Sequence, residues 1–172
     1  YKVQRARKGS IAYVCMNQRH TELAKPQVRE ALKWAVDYES IQRNIVSSTY
    51  DVHQAFLPTG FLGVLEDKPY RFDPNKAKEL LAQAGLANGL TLSLDHNNSA
   101  PWSDIAQAVQ ANFAQAGIRL NLMPGEQRQV ITKMRARQHE LLMGRWGADY
   151  MDPHSNAEAF AFNPDNGDNA RS

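Results

Sequence analysis

Cysteine occurs once in the chain, at Cys15, which excludes an intrachain disulfide. Long apolar runs are missing as well: no stretch approaches the roughly 20 residues that a helix needs to cross a bilayer. Excess charge of one sign is also lacking. The net charge is +2 and the basic residues are scattered, which argues against the extended cationic footprint of a nucleic-acid binder. There is no Gly-x-Ser-x-Gly elbow, phosphate loop or dinucleotide fingerprint, and no His-Glu-x-x-His, Cys-x-x-Cys or Asp-rich calcium loop. His20, His53, His96, His139 and His154 share no metal-ligand spacing, so neither a metal nor a cofactor is expected. Cys15 lies in an apolar strand pattern without a neighbouring histidine in sequence, where a buried, inert thiol is expected. The chain starts at Tyr1 rather than methionine and shows no signal-peptide pattern, so it reads as a piece cut from a longer protein.

What is present suits a folded globular unit. With 172 residues, 42% hydrophobic and 22% charged, the chain fits one domain that buries about 70% of the surface its unfolded form exposes. Lys2 to Arg7 alternates, Lys8-Gly9-Ser10 reads as a turn, and Ile11 to Met16 is rich in strand formers, giving a hairpin or two successive strands. Pro26 opens a helix whose stripe is Val28, Ala31, Leu32, Ala35 and Val36, with Trp34 off the stripe and packing at its rim. Asp37 to Ser40 interrupts the pattern, and Ile41, Ile45 and Val46 suggest a second short helix. Thr49 to Tyr70 is a long loop with apolar anchors Phe56, Leu57, Phe61, Leu62 and Leu65, fit to line a pocket or a domain seam.

Asp73-Pro74 starts a helix with stripe Ala77, Leu80, Leu81 and Ala84, and Gly85 ends it. Leu90 to Leu94 alternates as a half-buried strand. Ser103 or Ser99 is expected to cap the next helix, with stripe Ile105, Ala108, Val109, Phe113 and Ala116, and Ile118 to Met123 alternates again. Pro124-Gly125-Glu126 turns into a helix containing Val130, Ile131 and Met134, on which Arg128, Lys133, Arg135 and Arg137 read as a solvated face. Leu141-Leu142-Met143 is the strand that follows. The alternation of strands and helices predicts an α/β fold, its sheet mostly parallel or mixed and flanked by helices, with ligands beyond the carboxyl ends of the strands.

One such end carries the decapeptide Gly144 to Pro153. Pro153 disfavours helix at Asp152 and cannot donate to a ladder, so Asp152 reads as a turn former, and Trp146 and Asp149 are expected where a strand frays into a loop. Gly144 and Gly147, on either side of Trp146, leave room for a large ring and a carboxylate aimed at something approaching closely. That is the geometry of a ligand wall.

Four stretches then carry a resemblance: Val28-Arg29-Glu30-Ala31-Leu32 through Ala35-Val36-Asp37, Phe72-Asp73-Pro74 through Ala84-Gly85, Ala116-Gly117-Ile118, and Trp146-Gly147-Ala148-Asp149-Tyr150-Met151-Asp152-Pro153. In this order they resemble the extracellular solute-binding proteins of peptide ABC importers, of the family 5 type. Members of that family look like two α/β lobes that close on a ligand, and are longer than this chain. The resemblance implies that residues 1–172 are one lobe of a two-lobed periplasmic binding protein, the second. A hinge-side strand would lie near 1–17 and a cleft loop near 144–160, with the first lobe absent. It implies that Asp149 anchors a ligand's α-ammonium, that Trp146 and Gly147 line the cleft, and that Tyr150 and Phe61 make rim contacts. Closure would remove water and strengthen a carboxylate–ammonium bond, whereas an uncharged ligand end would leave Asp149 buried without a partner.

The implied ligand is a peptide or small cationic solute, and the implied partners are ABC permease subunits in the membrane. The location would be periplasmic or extracellular, with a lipid anchor as one option for the full-length protein. Lys25 departs from the acidic cap frequent before Pro26, and Cys15-Met16-Asn17 only approximates the family's lead-in strand. The family also binds nickel chelates, sugars, opines and haem; an aspartate at position 149 tilts the choice to peptides. Two other readings compete. One is a ligand-sensing or partner-binding domain without transport. The other is a hydrolase using Asp149, Asp152 and His154 as acid, base and orienter, which lacks a nucleophile–base pair at recognisable spacing.

Overall fold

The computed structural model describes residues 9–162. The expected strand at Lys2 to Arg7 lies outside them. Ten elements follow one another: β1 (Ser10–Met16), α1 (Pro26–Trp34), α2 (Tyr38–Ile45), α3 (Pro74–Gln83), β2 (Leu90–Asn97), α4 (Trp102–Gln115), β3 (Ile118–Gly125), α5 (Gln127–Arg135), β4 (Leu141–Gly147) and α6 (Pro153–Phe160). The strands form one sheet in the order β1-β4-β2-β3. β2 pairs in parallel with β3, from Leu90 opposite Ile118 to Asn97 opposite Gly125, and in parallel with β4 at Leu94 opposite Leu141. Asn17 N–H donates to Glu140 O and Ala148 N–H to Gly9 O, so β1 runs antiparallel to β4 and the sheet is mixed. No helix among the described residues is long and apolar enough to cross a membrane.

The contacts divide the chain into two compact units. The larger, residues 14–52 and 69–144, holds the main core. Period-two alternation puts Leu90, Leu92 and Leu94 of β2 and Ile118 and Leu120 of β3 inside, with Thr91, Arg119 and Asn121 outside. Val28, Ala31 and Leu32 of α1, Ala77 and Leu81 of α3, and Ala106, Val109 and Phe113 of α4 join them. The buried face of α4 is centred on Ala106 rather than Ala108, which is only half-buried. Pro124 lies within β3 rather than in a turn; β3 is an edge strand of the described sheet, where a missing N–H does least harm.

Local chemistry explains most of the helix starts. Asp37 Oδ1 accepts from Ser40 N–H at 3.0 Å, and Asp73 Oδ1 accepts from Lys76 N–H at 2.9 Å ahead of Pro74. Gly85 ends α3 at φ +83°, a backbone conformation that suits glycine. The expected serine cap of α4 is corrected. The helix begins at Trp102 with Pro101 in the cap position and no side-chain cap, while the Ser99 N–H and hydroxyl both donate to Asn97 Oδ1. Ser99 is held in an Asx turn, and Ser103 already lies inside the first turn.

The smaller unit gathers three stretches: residues 1–13, 53–68 and 145–172, of which 9–13, 53–68 and 145–162 are described. Residues 53–68 carry neither helix nor strand, as the loop reading expects. α6 is an element that the sequence pattern does not announce. Asp152 is its N-cap, its Oδ1 accepting from His154 N–H at 2.8 Å, and Pro153 is its first residue.

Candidate functional site

All five residues singled out in the sequence belong to the smaller unit. β4 runs on to Gly147, so Trp146 lies inside the strand rather than beyond it, and Asp149 follows two residues after the strand ends. The pleat decides their exposure: Arg145 and Gly147 face out while Trp146 is half-buried. The indole packs edge-on against Phe160 of α6, centroids 5.5 Å apart at 87°. Phe160 is a hub, since Tyr13 of β1 and Phe56 of the loop also meet it edge-on, at 5.4 Å and 6.3 Å. Asn156, wholly buried on the same helix, donates from Nδ2 to Phe56 O at 3.5 Å. Phe160 and Asn156 are the residues that sequence reasoning missed. Phe160 ends a helix with no apolar stripe, so no periodic signal marked it.

Asp149 is exposed, and among the described residues no hydrogen bond or ion pair joins its carboxylate. Tyr150 is 51% exposed, its hydroxyl hydrogen-bonded to His154 Nδ1 at 3.0 Å. Phe61 is 3% exposed, and its ring packs against Gly9: a Cβ there would fall 2.7 Å from Phe61 Cε2 and 2.8 Å from Met151 Sδ. Gly147 has room, since its Cβ would meet nothing nearer than Ser10 Cβ at 3.7 Å. The arrangement is therefore a braced indole, a bare backbone and an exposed carboxylate in sequence along one strand end. Such a set can hold a cation by charge and an apolar group by contact. Asp152 and His154, the other members of the hydrolase reading, are bound into the start of α6.

A second polar group lies in the larger unit. Cys15 Sγ is 3.6 Å from His139 Nε2, a neighbour 124 residues away that the sequence could not reveal. Burial pushes the thiol up to about 11, with the charge of Asp95 adding to the rise against two backbone hydrogen bonds, so the thiol stays protonated and inert. Burial also holds His139 below the usual histidine range, against the pull of Asp95. Lys133, expected on a solvated face, instead reaches the buried Asp95, Nζ to Oδ1 at 2.7 Å. Arg128 and Arg135 do face solvent. Among the described residues no group of three or more His, Cys, Asp or Glu side chains is placed to hold a metal ion.

Comparison with known proteins gives these residues a context. Residues 1–168 match the family described as bacterial extracellular solute-binding proteins, family 5 Middle. The chain is 30% identical over 152 residues to the probable ABC transporter periplasmic-binding protein SapA of Escherichia coli, covering 85% of this chain and 28% of that protein. It is 26% identical over 152 residues to the Escherichia coli dipeptide-binding protein, covering 84% of this chain and 28% of that protein. Among solved structures it superimposes with TM-score 0.81 and 26% identity on the periplasmic binding protein DppA from Helicobacter pylori in complex with peptide STSA, over 87% of this chain and 29% of that one. The chain thus spans under a third of the length of these relatives.

Proposed function

Since the chain belongs to the family 5 bacterial extracellular solute-binding proteins, we propose that it is the second-lobe portion of a receptor that binds peptides or related small cationic solutes and delivers them to a membrane ABC permease. The relatives carry names of binding proteins, two of them periplasmic, which supports a role in capture rather than turnover and a periplasmic or extracellular location. The single observation that carries the reading is the exposed carboxylate of Asp149, two residues beyond a strand end at which Phe160 braces Trp146. An exposed carboxylate costs little in water. It becomes valuable once a closing lobe excludes solvent and a ligand ammonium arrives, because a charge-assisted hydrogen bond strengthens as water leaves. Trp146 and the open backbone at Gly147 would take the ligand's apolar and peptide groups, with Tyr150 nearby at the rim. Phe61, whose ring is turned into its own unit, would shape the wall by holding the loop rather than by its ring edge.

The test is native mass spectrometry on the complete receptor purified from its own host, followed by denaturation to release what it carries. A mixture of short peptides is the expected result. A single non-peptide adduct would keep the clamp and overturn the ligand class, and an empty receptor that also ignores added peptides would leave a sensing or partner-binding role.

A further inference from the structure

One exposed ring of the smaller unit is held from two sides. Phe56 is 47% exposed and lies in a segment of neither helix nor strand, yet α6 fixes both its backbone and its ring. Asn156 and Phe160 stand four residues apart on α6 and so share a face of the helix. Asn156 Nδ2 donates to Phe56 O at 3.5 Å, and the Phe160 ring meets the Phe56 ring edge-on at 6.3 Å. The segment is also tied to itself. His53 Nε2 and Leu57 O lie 2.6 Å apart; the carbonyl can only accept, so Nε2 donates, leaving Nδ1 to face the Thr59 hydroxyl at 3.4 Å. Pro58, between those two partners, is buried. Phe56 is thus carried on an ordered turn with its ring half in water.

The same Phe160 ring carries the Trp146 indole at 5.5 Å. Phe56 and Trp146 are therefore two rings on a common support, one from the loop and one from β4, and both leave part of their surface open. Asp149 follows Trp146 by three residues, a length of chain that spans at most about 10 Å. The first residue of a peptide bears its ammonium and its side chain on one carbon. A peptide held by its ammonium at Asp149 thus presents that side chain within reach of the indole and of the ring that shares its support. We propose that Phe56, together with Trp146, forms a subsite for the ligand's first side chain and selects large apolar and aromatic groups there. The inference rests on the reading of Asp149 as the ammonium anchor and narrows the ligand class of that same site. A ring already fixed by its neighbours loses little freedom when an apolar group covers it, so the gain from burial is kept as affinity. A glycine in the first position leaves both rings in water and forgoes that gain.

The experiment measures the Kd of the tripeptides Phe-Ala-Ala and Gly-Ala-Ala on the complete receptor by titration calorimetry, in the wild type, Phe56→Ala and Phe56→Tyr. The wild type should hold Phe-Ala-Ala tighter by roughly tenfold or more. Phe56→Ala should cut that ratio to about threefold or less and leave Gly-Ala-Ala within about twofold, while Phe56→Tyr keeps the ratio. A loss shared equally by both peptides, or a lower receptor Tm with the ratio intact, would mean that Phe56 only packs, and the proposal would fall. Equal affinity of the wild type for the two peptides would overturn it without any variant, so a Phe56→Ala receptor that fails to fold does not shield it. That outcome leaves the peptide reading standing. A receptor that binds neither tripeptide removes the ammonium anchor and this subsite with it.

Discussion

Asp149 combines exposure with the absence of a partner among the described residues, so its removal should cost the free protein little and, if it anchors the ligand as proposed, the liganded one much. In the complete receptor Asp149→Ala should weaken peptides with a free amino terminus by about 1.5–3 kcal/mol, roughly 10- to 150-fold in Kd, and acetylated peptides far less. Titration calorimetry on matched pairs checks this, and equal losses for both would remove the anchor assignment. Two glycines separate packing from binding at the same scale. Gly9→Ala drives a methyl to 2.7 Å from Phe61 and 2.8 Å from Met151, and overpacking of that kind should cost about 1–3 kcal/mol in chemical denaturation. Gly147→Ala meets only an ordinary contact at 3.7 Å and should leave stability within about 0.5 kcal/mol. A loss of affinity there would then report ligand backbone passing close to Gly147. His139 supplies a pH dependence. Burial lowers its folded value below 6.5, with the Lys133 ammonium acting in the same direction and Asp95 and the Lys133 carbonyl opposing; Cys15 Sγ, the remaining titratable group against it, stays neutral. The unfolded chain therefore binds the proton more readily. This contribution to stability is complete above 6.5 and is lost as pH falls through the window beneath it, and denaturant midpoints measured from about pH 8 down to about pH 5 should fall less steeply in His139→Gln than in the wild type. Identical slopes would acquit the histidine.

Among the elements, the Asp-Pro signal shows how far sequence reading reaches and where it stops. At Asp73-Pro74 it precedes apolar residues spaced at the helical period, and α3 forms as expected. At Asp152-Pro153 the same cap and the same first-turn proline start α6, but that helix buries Ser155 and Asn156, so no apolar stripe betrays it and the aspartate reads as a turn. The apolar pattern of β4 stops short of the strand's end for a related reason, because its last residues alternate a charged side chain, an indole and a glycine instead of continuing the Leu141-Leu142-Met143 run. Patterns that bury apolar groups are legible along the chain: α1, α3, β2 and β3 follow from them, whereas in the long loop Phe61 is buried as an anchor but Phe56, Leu62 and Leu65, expected to anchor it too, are exposed. Bracing supplied from a distance is not, and this is why Trp146 and Asp149 stood out in the sequence while Phe160, which holds the indole, and His139, which meets Cys15, did not. The cap itself is measurable. Asp73→Ala removes the acceptor for Lys76 N–H and should destabilise the protein by about 1 kcal/mol, lowering Tm by roughly 2–4 °C, while Asp73→Asn should recover most of the loss. Full stability in the alanine variant would mean that α3 is held by packing alone.

On the scale of the whole molecule, the main core and the proposed ligand contacts fall in different units. The larger has a sheet core closed by α1, α3 and α4, while the residues proposed to meet ligand all stand in the smaller unit. A ligand that touches only one wall keeps most of its surface in water, and pockets of useful affinity bury the greater part of what they bind. Two-lobed clamps obtain that burial by hinge closure, with contacts from the second wall added to those from the first. The 172-residue chain, spanning 28% of the relatives it resembles, should therefore give a cooperative thermal transition and yet bind di- and tripeptides more weakly than about 1 mM, near −4 kcal/mol, a level that a single carboxylate–ammonium contact with one aromatic face can supply. Titration of the chain with free-amino-terminal peptides, followed by chemical-shift changes at the Trp146 indole, measures it directly. Micromolar or tighter binding by this chain alone would mean that one wall suffices, and the clamp reading would fall with it.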